Sequence, residues 1–213
     1  MKNALLLLIL FFSCLNSNAQ KYAFNTLVKY STKMNDYYNE RVNYTNTDDN
    51  SYHLGLYKTE NSFTAFLYDD KNLKKHEFKV IETKSKNEVF FKFEYIKSTI
   101  LNLKVKNKFS DYLFTFNTLS TTDSIKKVSL NGYKNSKKKK SVVQCELEIK
   151  NYPVNLFHSF RISCMHPFEF LDYLNYNENG VVINGTATTL SGKKASFKLL
   201  ELKQLDFELE VKN

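Results

Sequence analysis

Alternation limits what this chain can fold into more than any other feature. Val143, Cys145, Leu147 and Ile149 are separated by Gln144, Glu146 and Glu148, and Val89, Phe91, Phe93 and Tyr95 share a second face opposite Lys92 and Glu94. A period of two places each set on one side of an extended strand, so these segments predict half-buried antiparallel strands. Tyr52, Leu54 and Leu56 form a shorter face, and less regular versions cover 22–30, 62–68, 77–81, 108–116, 160–164 and 181–188. Near the C-terminus Leu199, Leu202 and Leu205 fit helical spacing. The alternation of Leu205, Phe207, Leu209 and Val211 with Asp206, Glu208 and Glu210 decides for strand in the second half of that run.

Polar turns recur about every ten residues, the rhythm of an all-β antiparallel sandwich or of a strongly curved, half-barrel sheet. No glycine occurs between Gly55 and Gly132, so Asn and Asp must supply the intervening turns; later turns are expected at Asn131-Gly132, Asn179-Gly180 and Ser191-Gly192. One short helix is expected near 167–175. Pro167 suits a first helical position, and Phe170, Leu171 and Leu174 would share a face. A single β domain over 20–213 is expected, with 118–124 the one polar segment that would suit an internal boundary.

Residues 1–19 read as an export leader: Lys2, the apolar run 4–12, then Ser17-Asn18-Ala19 as a small-x-small cleavage site. The apolar run is shorter than the roughly 20 residues of a membrane-spanning helix, and none is expected in the mature chain. Export predicts a periplasmic or extracellular, cell-envelope protein. A lipid-tethered form through Cys14 is the competing reading, weakened by Phe11 where such signals carry an aliphatic residue.

The formal charge of +9 does not describe a broadly basic protein. Only Arg41 and Arg161 are arginines, and residues 126–140 hold seven lysines and no acid. Nucleic-acid binders favour the bidentate arginine fork and interleaved aromatics, so no nucleic acid is expected as partner. The concentrated run Lys137, Lys138, Lys139 and Lys140 reads as an exposed loop: either a solvated hairpin tip, or a contact with an anionic envelope surface worth up to about 1 kcal/mol per lysine.

Export places Cys145 and Cys164 in an oxidising compartment. Read as residues of two strands joined by a turn at 152–155, they would pair as a disulfide worth roughly 3 kcal/mol; otherwise they are buried free thiols. The run His158 to His166 around Cys164 lacks zinc-ligand spacing, and His53 and His76 stand singly within strand patterns. Asp48-Asp49 and Asp69-Asp70 are adjacent rather than alternate and lack the glycine of a calcium loop. No metal, cofactor or catalytic residue is expected. With five glycines in the chain, a phosphate-cradling loop is nearly excluded, and no nucleophile elbow or metalloprotease helix is present.

The expectation is therefore an exported, non-catalytic envelope protein whose aromatic-rich, curved sheet holds a lipid or other apolar or amphiphilic ligand. The alternatives are a structural protein that docks an envelope protein or anionic surface through the lysine run, and a hydrolase with a site dispersed over distant strands.

Overall fold

The computed structural model describes residues 19–59, 62–85, 88–102, 108–135, 137, 140–189 and 192–211. The leader before Ala19, with Cys14, lies outside the described residues, as do Lys138 and Lys139. The fold is all-β. Among the described residues eleven strands, β1 (Gln20–Met34), β2 (Tyr37–Thr45), β3 (Tyr52–Lys58), β4 (Phe63–Asp69), β5 (Lys74–Ser85), β6 (Glu88–Ile100), β7 (Leu113–Thr121), β8 (Ile125–Tyr133), β9 (Ser141–Lys150), β10 (Val181–Thr189) and β11 (Lys194–Val211), form one sheet. Its order is β6-β5-β4-β3-β2-β1-β11-β10-β9-β8-β7, antiparallel throughout, with β6 and β7 as edges that do not join. The polar segment 118–124 is the end of β7 and its turn into β8.

The helix, α1 (Phe157–Cys164), lies upstream of the expected position, and the expected strand 160–164 falls within it. Phe160, Ile162 and Cys164 alternate, but Phe157, Phe160 and Cys164 also fit one helical face, and eight residues cannot separate the two periods. The Asn155 side chain accepts the Phe157 N–H at 2.8 Å and starts the helix. Pro167 then acts as a stop, since the residue before a proline is pushed out of helical geometry, and 165–176 runs as an irregular loop. No described helix is long and apolar enough to cross a membrane.

The sheet carries a core on each face. On β2, Asn43 points to α1 and hydrogen-bonds Ser163 at 2.9 Å, while its neighbour Tyr44 points away into the other core. Val28, Tyr30, Val128, Leu130, Leu147 and Phe197 pack with Phe157 and Phe160 on the helix face. Tyr22, Phe24, Leu54, Leu67 and Phe78 pack on the opposite face. In β1 all the core residues are even-numbered, yet Tyr22 and Phe24 serve one core and Val28 and Tyr30 the other; a register irregularity between Phe24 and Thr26 separates them. Bulges re-aim a strand in this way.

The two halves curl in opposite directions. Phe93 on edge strand β6 stands 5.3 Å from Phe207 on β11, six places away in the sheet, which closes the first half over its core. At the other edge, β7 bends toward α1 and its loop, with Phe116 5.3 Å from Phe157 and Phe114 5.5 Å from Phe168. Gly132 is not at a turn: it lies inside β8, where an added Cβ would stand 2.8 Å from both Phe114 and Val143.

Candidate functional site

Between the sheet and the end of α1 lies an apolar cleft of about 550 Å³. Its origin is a row of small side chains. Met34 pairs with Ala195, Ala195 with Ala187 and Ala187 with Cys145 across four strands, so the row leaves space above itself. Phe197 and Val143 complete the floor, and Met165, Pro167 and Phe168, just beyond α1, form the roof. The cleft opens at the β1–β2 hairpin, where Met34 is 37% and Tyr37 64% exposed. Its volume falls within the roughly 300–1,000 Å³ of small-molecule sites, and mostly apolar walls with a few polar groups are their usual make-up.

The polar groups are few. Tyr37, Asn39 and Arg41 descend one face of β2 into the cleft, and His166 sits at the roof. The His166 ring nitrogen Nδ1 is 2.7 Å from Glu169. Arg41 is half-buried, and its guanidinium makes no hydrogen bond or ion pair with a described residue. Cys145 and Cys164 both line the cleft and are free thiols. The disulfide expectation rested on two adjacent strands; Cys164 stands on α1 instead. Burial pushes both thiols up to about 12. For Cys164 the Thr32 hydroxyl at 3.9 Å and the charge of Arg41 pull weakly the other way. At neutral pH both are therefore protonated, small and apolar, and serve as wall.

A second, polar cleft of about 360 Å³ brings Asp70 together with His158, Arg161 and Asp172, which lie much later in the sequence. Arg161 is 4% exposed and donates through Nη1 to the carbonyls of Leu171 and, at 3.1 Å, Leu174. Its Nη2 lies 2.9 Å from His158 Nδ1 and 3.6 Å from Asp172. A guanidinium only donates, so His158 Nδ1 accepts and the ring proton sits on Nε2, which has no partner among the described residues. Burial, Arg161 and His53 all hold His158 well below its ordinary range. In a Ser-His-Asp arrangement the ring nitrogen opposite the basic one donates to a carboxylate; in His158 the Nδ1 side faces the Arg161 guanidinium instead. The arrangement is a clamp that ties the 165–176 loop to α1.

Lys137 and Lys140 are exposed in the β8–β9 connection. β9 begins beside the end of β10, β10 leads into the start of β11, and that start pairs with the end of β1. Lys137 and Lys140 therefore belong to the same end of the sheet as the cleft mouth. The described residues hold no group of three or more His, Cys, Asp or Glu placed to bind a metal. His53 and His76 are buried in β3 and β5. No family model fits the chain, and no curated protein matches its sequence.

Proposed function

We propose that this chain is an exported, non-catalytic binding protein that takes an apolar or amphiphilic molecule into the cleft between the curved sheet and the end of α1. The observation that carries the reading is the cleft itself: apolar walls, a cause in the small row Ala195, Ala187 and Cys145, and an opening marked by exposed Met34 and Tyr37. Large apolar side chains exposed beside an apolar cavity mark a route for apolar ligands. The test is to purify the chain from residue 20 onward, extract it with organic solvent and identify bound amphiphiles by mass spectrometry. A bound acyl species is expected, and Ala187→Phe, which fills the floor, is expected to lose it while remaining folded. An extract free of amphiphile, with no uptake of added dodecyl ligands, would overturn the reading.

The lysine run supports a second reading, docking on an anionic envelope surface or partner, because Lys137 and Lys140 project at the mouth end. Serine at Lys137, Lys138, Lys139 and Lys140 is then expected to release the protein from anionic vesicles, and unchanged retention would count against docking.

A further inference from the structure

We propose that Arg41 is the anchoring site for the head of a single-chain anionic amphiphile, a carboxylate or phosphate monoester, whose hydrocarbon lies on the cleft floor. The proposal rests on the cleft reading above and names the chemistry of its ligand. Half-burying a guanidinium without a partner is costly, and retaining one in an apolar wall is explained by a counter-charge brought by the ligand. Arg41 has no ion pair or hydrogen bond with a described residue, and no Asp or Glu lines the cleft. Glu169 and Arg41 both act electrostatically on the Tyr68 hydroxyl, but Glu169 does not line the cleft and forms no ion pair with Arg41: its Oε1 is 2.7 Å from His166, and its buried Oε2 has no hydrogen-bond partner among the described residues. The cleft is therefore apolar and net positive, which disfavours cations and rewards anions.

The residue type adds a second argument. In a chain with 31 Lys and Arg together, lysine fills every basic position except two. Arg161 uses its fork to bind carbonyls of the loop. Arg41 lines the cleft and carries the same planar fork, which matches two oxygens of a carboxylate or phosphate, as a lysine point charge does not. Tyr37 and Arg41 are four residues apart on one face of β2, about 13 Å along the strand. A head held at Arg41 is thus set back from the mouth, and the alkyl chain finds the apolar floor beside it.

The test uses calorimetric titration of the chain from residue 20 onward with dodecanoate, dodecyl phosphate and dodecan-1-ol. Both anions, or one of them, are expected to bind about 10- to 100-fold more tightly than the alcohol, the worth of charge-assisted hydrogen bonds. A preference between the two anions identifies the head as carboxylate or phosphate. Arg41→Met is expected to abolish the advantage of the anions and leave the alcohol unchanged; Arg41→Lys is expected to fall between, with both variants keeping the wild-type unfolding temperature. If wild type binds all three ligands equally, or Arg41→Met keeps the anion preference, the Arg41 site is wrong while the cleft reading stands. If wild type binds none of them, the cleft reading itself fails and takes this site with it.

Discussion

At the level of single residues, the two arginines separate structure from recognition. Arg161 donates through Nη1 and Nη2 to loop carbonyls and His158, while its Nε has no partner among the described residues, so its loss leaves buried acceptors without donors. Arg161→Met is expected to destabilise the fold by about 3 kcal/mol, read from urea unfolding midpoints, and a change below about 0.5 kcal/mol would contradict the clamp. Arg41→Met, with no partner among the described residues to strand, is expected to leave those midpoints where they were. The scarcity of arginine was legible in the sequence, but its meaning was not. Neither the carbonyls around Arg161 nor the apolar cleft beside Arg41 has a local signature, because both are set by contacts between distant segments.

Among the elements, strands with strict alternation were legible: β3, β6, β9 and the second half of β11 stand where their patterns put them. Two strands carried weaker signals. In β2 the apolar residues Val42 and Tyr44 follow a polar stretch, and in β8 Val128 and Leu130 alternate but Ile125 breaks the phase. Residues 160–164 of α1 fit the strand period as well as the helical one, and Pro167, which suits a helix start, lies just past the helix end and is a stop. Asn131-Gly132 resembles a turn, yet the glycine is demanded by close packing between β7 and β9. Gly132→Ala is accordingly expected to cost about 1–3 kcal/mol through overpacking against Phe114 and Val143, measured by denaturant unfolding. A stability within error of wild type would mean that the two neighbours yield freely.

For the molecule as a whole, two cores on opposite faces of one sheet put buried histidines in both halves. Burial and then the charge of Arg161 lower His53 to about 3, and His158 is held well below its ordinary range. His76, hydrogen-bonded to Ser98 at 2.6 Å, is lowered as well, by burial and Lys74. Each is neutral when folded and free to take a proton when unfolded, so stability is fully present above about pH 6.5 and declines as the pH falls toward the folded values. For His53 and His158 the loss approaches about 1.4 kcal/mol per pH unit each. Asp69 adds to the acid loss. Burial alone would raise it, but donation from Tyr22, Asn72 and Gln20 holds it below its ordinary value, a gain lost only as pH falls through that lowered range. Urea midpoints are expected to be flat from pH 7 to 8 and to drop steadily from 6.5 to 4; a flat profile to pH 4 would contradict the assignment. The curl of the sheet also sets a polarity. β1 and β11 start and finish together, Gln20 pairing with Val211 and Met34 with Ala195 fourteen residues further along. Whatever is fused or tethered at either end of the described chain therefore leaves from the same place, about 45 Å of strand away from the cleft mouth. The protein can be held by its ends while its opening stays free to meet another surface.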